Sequence, residues 1–384
     1  MHRRVLRYGC FCLVLLLCLG NHLTLRLQAA SITADLSVPV ISAQSAILIE
    51  PSSGTTVYEK NARVRLPMAS TTKIMTAIVA LEHADPAMIV EVSPDAVGIE
   101  GSSVYLYAGE RLSMEHLLYA MLLESANDAA AAIAIAIAGS VDAFAVLMNE
   151  KAVELGLSDT HFTNPHGLDH EQHYTTAADL ARIASYCMTN VLFSTIVATQ
   201  RMTIPLHETE GARLLINHNR LLRSYEGTVG LKTGFTKRSG RCLVSAATRD
   251  GITLIAVTLN APDDWDDHRN MFDYGFENYV SILLQSAGSY SRTVPLIGAT
   301  QTTLSVTNAN DVRAVLPKQH GAITLTCELP RWIAGSAIRG QTIGRLIWRC
   351  NGRIIAEESL IVQSTVIVPS EKPSLWERIL ALFS

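Results

Sequence analysis

Two short strand-like runs, Ala46-Ile47-Leu48-Ile49 and Thr55-Thr56-Val57-Tyr58, flank Pro51-Ser52-Ser53-Gly54. Runs of this kind on either side of a proline and glycine turn predict a β-hairpin. From Ser70 the period changes: Ile74, Ala77, Ile78 and Leu81 recur on one helical face, which puts Ser70 at a helix N-terminus. Residues 112–139 continue as an apolar helical stretch with Leu117, Leu118, Met121 and Leu122 on one face, interrupted by the polar Ser125-Ala126-Asn127. Beyond the break, Ile133, Ile135 and Ile137 alternate with alanines, a strand-like period. Alanine's helix propensity overrides it and predicts a helix buried on all sides. Residues 230–236, 241–248 and 252–259 read as a three-stranded meander. Joined to the first hairpin, they predict a five-stranded antiparallel sheet with helices between its two halves, an α+β fold. After Tyr279 the runs shorten, as in Thr302-Thr303-Leu304-Ser305-Val306, Ala322-Ile323-Thr324-Leu325 and Arg345-Leu346-Ile347-Trp348, and predict a small all-β domain.

The chain's 384 residues, 48% of them hydrophobic, are enough for two ordinary cores. A net charge of −4, from Lys+Arg 31 against Asp+Glu 35, gives no basic bias and excludes nucleic acid as an expected partner. Both ends differ from the middle. Arg3, Arg4 and Arg7 precede an apolar run and then Ala29-Ala30, the layout of a cleaved secretory signal over 1–30. Leu375, Trp376, Ile379, Leu380 and Phe383 share a helical face, so 370–384 reads as an amphipathic tail and a candidate membrane anchor. Export permits oxidation of the four cysteines that remain. Cys327 and Cys350 fall in the strand-rich part as a candidate pair; Cys187 and Cys242 read as buried small hydrophobes.

The chemistry begins at Ser70-Thr71-Thr72-Lys73. Residues i and i+3 of a helix share a face, so Lys73 can reach the Ser70 hydroxyl and take its proton. Ser125-Ala126-Asn127 and Lys232-Thr233-Gly234 follow in the order used by serine penicillin-recognising enzymes. Glu59-Lys60-Asn61, Pro67-Met68-Ala69, Thr163-Asn164-Pro165-His166-Gly167-Leu168 and His173-Tyr174-Thr175-Thr176-Ala177 agree with them. The chain resembles the low-molecular-mass penicillin-binding proteins, the D-alanyl-D-alanine carboxypeptidases of bacterial cell walls, from about residue 43 to about 366.

The resemblance implies a transpeptidase-like domain of the penicillin-binding-protein and serine β-lactamase fold over 36–282, and a β-sandwich over 285–367. It implies an exported enzyme on the outer face of the cytoplasmic membrane, acting on peptidoglycan pentapeptides and acylated by β-lactam antibiotics, with no cofactor. Ser70 is then the nucleophile, Lys73 its base, and Ser125 the relay of a proton to the departing D-alanine. Asn127 holds the substrate amide and Lys73; Lys232, Thr233 and Thr236 bind the terminal carboxylate; Gly234 keeps the sheet edge open. The backbone N–H groups of Ser70 and Phe235 form the oxyanion hole. For the base to be neutral, burial and the charge of Lys232 must depress the Lys73 pKa. A class A β-lactamase is the alternative enzyme, disfavoured because 126–231 holds no matching glutamate-asparagine loop. A non-catalytic muropeptide-binding domain is the other, and it has no need of an activated serine. His161, His166, His170 and His173 lack metallopeptidase spacing and are read as loop residues, without metal. Arg269, after Asp266-Asp267, reads as an exposed ion pair.

Overall fold

The computed structural model describes residues 38–206, 211–299 and 301–367. The signal-like residues 1–30 and the tail 370–384 lie outside them. From Pro39 onward the described residues belong to one compact unit.

The chain opens with the hairpin β1 (Ser45–Glu50) and β2 (Thr55–Lys60), then α1 (Lys73–His83) and the small pair β3 (Ile89–Glu91) and β4 (Arg111–Ser113). Helices α2 (Met114–Leu123), α3 (Asn127–Ala138), α4 (Val141–Glu154), α5 (Ala177–Met188) and α6 (Val191–Ala198) follow. A second hairpin, β5 (Arg201–Pro205) and β6 (Ala212–Ile216), and the single turn α7 (Leu221–Ser224) lead back to the sheet. That return comprises β7 (Thr228–Gly230), β8 (Thr233–Thr236), β9 (Gly240–Arg249) and β10 (Ile252–Leu259), closed by α8 (Asp264–Asn278).

The main sheet runs β2-β1-β10-β9-β7, with β8 also on β9, antiparallel throughout. The five positions expected are present, but the last holds two strands. The expected run 230–236 breaks because Gly230 and Leu231 take φ of +105° and +91°, a region closed to extended strands. A Cβ on Gly230 would lie 2.0 Å from the Val197 carbonyl oxygen, so glycine is required there.

The expected helix over 112–139 is a strand end and two helices. Ser113 caps α2 by accepting from His116 N–H, and Ser125, at φ +61°, turns the chain between α2 and α3. Helix α3 is fully buried only from Asn127 to Ala134; its last turn reaches the surface before Gly139, at φ +80°, ends it. Its alanines let α1, α2 and α4 close around it, and this all-helical layer forms the larger core with one face of the sheet. The opposite face packs on α8.

From Tyr279 the described residues form strands only: β11 (Tyr279–Gln285), β12 (Ser291–Ile297), β13 (Thr303–Asn308), β14 (Val312–Pro317), β15 (Ile323–Glu328), β16 (Ile333–Ala334), β17 (Thr342–Cys350) and β18 (Arg353–Val362). The sheet β15-β17-β18-β13-β12-β16 faces the pair β11-β14 across Val294, Val306, Leu346, Trp348 and Leu360. Cys327 and Cys350 do not pair. On β15 and β17 they are opposite Leu346 and Ile323, so four residues of ladder, about 13 Å, separate them.

Candidate active site

Ser70 lies in a single 3₁₀ turn, Ala69–Thr72, and the α-helix proper begins at Lys73. The tighter turn follows from Ala69, a buried residue held at φ +47° beneath the loop that carries Gly167. A Cβ on Gly167 would lie 2.0 Å from the Ala69 carbonyl oxygen, so this loop and the serine turn touch through backbone. The turn is held from below as well. Thr72 Oγ1 donates to Ala69 O at 2.8 Å and lies 2.7 Å from His173 Nε2. His173 Nδ1 accepts from Thr163 N–H at 3.0 Å, which fixes the ring neutral, with its proton on Nε2 directed at Thr72. Burial holds His166 and His173 down to about 3. Of the four histidines read as loop residues, His173 therefore braces the Ser70 turn.

Lys73 is completely buried. Its Nζ is 3.0 Å from Ser70 Oγ, 2.6 Å from Asn127 Oδ1 and 2.6 Å from His166 O. Burial, and after it the charge of Lys232, holds its pKa well below the usual lysine range against a smaller pull from Asp128. A neutral amine has two N–H groups and one lone pair. Asn127 and His166 accept the two hydrogens, which leaves the lone pair for the Ser70 hydroxyl. Asn127 also donates through Nδ2 to Glu100 O, and Asp128 accepts from Ser103 Oγ and from the N–H groups of Val104 and Leu106. The turn after α2 is thus fixed to the 100–106 loop.

Lys232 is buried, its Nζ donating to Thr233 O at 3.0 Å. Burial lowers its pKa to about 7, opposed by Glu124, whose carboxylate also accepts from Ile216 N–H and meets His218 Nε2 at 3.1 Å. Lys232 and Val244 exchange both backbone hydrogen bonds at 2.9 Å. By the antiparallel alternation, Gly234 and Thr236 also face β9, and the N–H of Phe235 points off the open edge of β8. That edge approaches the serine turn closely: a Cβ on Gly234 would lie 3.0 Å from Ser70 N and 3.1 Å from Thr71 N. A side chain at 234 would crowd the Ser70 N–H.

A cavity of about 240 Å³ collects these groups, lined by Ser70, Ser125, Thr233, Gly234 and Phe235 together with Ser102, His218, Arg241, Asp264 and Trp265. The second five were not anticipated. Arg241 lies across the ladder from Phe235, its guanidinium held on Asp264 at 2.9 Å and 6.0 Å from the centre of the Trp265 ring. Only that pairing brings it to the site, and a strand-like run does not reveal it. Thr236 is not on the cavity wall. Its hydroxyl donates to Asp169 at 2.9 Å and accepts from Ser239 N–H. Arg269 is the exposed ion pair expected, 3.0 Å from Asp266.

A family model described as D-alanyl-D-alanine carboxypeptidase matches residues 32–263. The chain belongs to the D-alanyl-D-alanine carboxypeptidase family. Among its relatives, D-alanyl-D-alanine carboxypeptidase DacF of Bacillus subtilis is 31% identical over 82% of this chain and 83% of its own length. DacC of Escherichia coli is 30% identical over 90% of this chain and 89% of its own length. Among solved structures, penicillin binding protein 5 from Haemophilus influenzae superposes with a TM-score of 0.72 at 26% identity, covering 86% of this chain and 98% of that one. The carboxypeptidase fold is therefore shared through the β-strand region as well as the helical layer and main sheet.

Proposed function

We propose that Ser70 is the acyl-accepting nucleophile of a serine-type D-alanyl-D-alanine carboxypeptidase that removes the terminal D-alanine from peptidoglycan pentapeptides. The observation that carries this reading is the buried Lys73 nitrogen 3.0 Å from Ser70 Oγ, its pKa held well below the usual lysine range by burial. Lys73 takes the hydroxyl proton as Ser70 Oγ bonds to the penultimate carbonyl carbon. The carbonyl oxygen becomes an oxyanion between the N–H groups of Ser70 and Phe235. Its collapse breaks the peptide bond, and the proton passes from Lys73 through Ser125 to the departing amine. Water then gives a proton to the same base and attacks the ester, which frees the shortened peptide and restores Ser70.

The substrate lies along the open edge of β8 as an added strand. Asn127 steadies its amide. Lys232 and Thr233 take the terminal carboxylate, and Thr236 joins them by turning its hydroxyl from Asp169. β-Lactams acylate the same serine. The division into a catalytic part, 36–282, and a β-sandwich, 285–367, belongs to this reading, supported by their separate cores. So does export by 1–30 and attachment to the outer face of the cytoplasmic membrane through 370–384.

Intact-mass spectrometry with benzylpenicillin tests the nucleophile. One covalent adduct is expected on the chain lacking 1–30 and none on Ser70→Ala; no adduct, or an equal one on the variant, refutes the assignment. Release of D-alanine from diacetyl-Lys-D-Ala-D-Ala by wild type separates turnover from binding.

A further inference from the structure

In the strand region, residues next in the chain to, or paired near, a small buried cluster of Leu296, Leu304, Ala337, Val362 and Val366 leave large apolar side chains in solvent. Trp332 is 56% exposed, Ile338 65%, Ile367 69% and Ile297 54%. The pairing brings them to one edge. Strand β16 runs parallel to the end of β12, with Leu296 opposite Ile333 and Ile297 opposite Ala334. Ala337 and Val366 bridge antiparallel through two 2.8 Å backbone hydrogen bonds. Ala337 and Val366 point inward, so their neighbours Ile338 and Ile367 point outward. Arg331 and Arg339 flank the segment, exposed, and neither enters an ion pair among the described residues.

We propose that this edge is a second membrane contact, in which Trp332, Ile338 and Ile367 enter the headgroup layer of an anionic phospholipid bilayer while Arg331 and Arg339 meet lipid phosphates. Three observations favour a bilayer as the occupant. Tryptophan with aliphatic side chains and arginine suits the interfacial zone, where an indole and a guanidinium keep their polar ends wet. The two arginines give the edge the charge that anionic lipid attracts. The chain also leaves the described fold at this edge, at Ile367, and residues 368–384 carry Leu375, Trp376, Ile379, Leu380 and Phe383. A tail bound there brings the lipid surface to the edge. One short amphipathic segment binds reversibly, and a second contact on the same body multiplies its retention. The inference rests on the membrane reading of the tail and adds to it.

Co-sedimentation with phosphatidylglycerol-containing vesicles tests it on the chain from residue 31 onward, with benzylpenicillin adduct formation and an unchanged thermal melt as the checks that each variant is folded in both parts. Trp332→Ser with Ile338→Ser is expected to weaken partitioning about tenfold, and Arg331→Gln with Arg339→Gln to weaken it on phosphatidylglycerol but not on phosphatidylcholine. The chain ending at Ile367 is expected to keep weak binding that the Trp332/Ile338 variant abolishes. If that short chain binds as well as the long one, the tail reading fails and the edge stands. Vesicle binding unchanged by both double variants overturns the edge. So does absence of vesicle binding by the long chain, or self-association in solution that Trp332→Ser removes, which would assign the edge to a second copy.

Discussion

Gly234→Ala isolates the contact between strand β8 and the serine turn. The new Cβ would lie 3.0 Å from Ser70 N, 3.1 Å from Thr71 N and 3.2 Å from Ala69 Cβ. An ordinary contact between such atoms is about 3.5 Å, so strand and turn must part by about 0.5 Å. Gly234 is not at positive φ, and alanine at a strand position is favoured over glycine by about 0.5–1 kcal/mol, so the backbone itself tolerates the change. The cost falls on the proposed oxyanion hole. Donors act there at about 2.7–3.1 Å, and loss of one costs about 10²–10³ in rate, so widening by this amount is expected to slow acylation by about 10- to 10²-fold, about 1.4–2.7 kcal/mol. Stopped-flow acylation by a fluorescent penicillin reads the rate, and thermal unfolding reads the fold. Acylation within about twofold of wild type, about 0.4 kcal/mol, would refute the apposition of strand and turn. A slow variant that also melted more than about 5 °C lower would refute the local reasoning, since the clash would then be disrupting the sheet.

Other perturbations separate electrostatics from packing. Lys232→Gln removes a positive charge that, after burial, depresses Lys73, so the acid limb of the acylation rate is expected to move to higher pH; an unmoved limb in a pH-rate profile counts against the coupling. His166, His173 and His268 are all held down to about 3 by burial, so the unfolded chain binds more protons below its ordinary histidine pKa of about 6.5. Stability is therefore expected to fall as pH drops from about 6.5 toward 3, by about 2 kcal/mol per histidine at pH 5, and urea melts at pH 7.5 and 5 that coincide would exclude it. Arg213 forks onto the fully buried Glu110 and joins the β5–β6 hairpin to the 104–110 loop, so Arg213→Met is expected to cost about 3–5 kcal/mol in urea unfolding, and a loss under about 1 kcal/mol would show the pair to be dispensable.

The parts of the site that the sequence exposes are those set by local spacing. Ser70 and Lys73 meet because a single turn brings i to i+3, and either a 3₁₀ or an α geometry achieves it, so misplacing the helix start by three residues left the contact unchanged. Polar Ser125-Ala126-Asn127 stands out because it interrupts burial. The break at Leu231 does not: an apolar residue at φ +91° is indistinguishable in a hydropathy pattern from one in a strand, and only the close approach of Gly230 to Val197 O requires it. Arg241, Asp264 and Trp265 were hidden for a different reason. They reach the cavity by ladder register and by the docking of α8, both of which depend on pairing between distant residues. The same holds for Thr236, whose partner Asp169 lies 67 residues away.

The two lysines show why the three motifs need one fold and not merely one order. Burial, and after it the charge of Lys232, lowers the Lys73 pKa, but a neutral base is useful only if its lone pair faces the nucleophile. The orientation comes from acceptors on two other segments, Asn127 after α2 and His166 in the Gly167 loop. In the carboxylate-binding role proposed for it, Lys232 has the opposite requirement, since it must keep a charge that burial works to remove. Glu124 supplies the opposing field from the residue directly before Ser125. One turn, 124–127, thus supports positive charge on Lys232 through Glu124 and orients the Lys73 nitrogen through Asn127. Removing the Glu124 carboxylate is therefore expected to weaken carboxylate recognition more than acylation by a neutral ester, a difference that a general loss of structure would not produce.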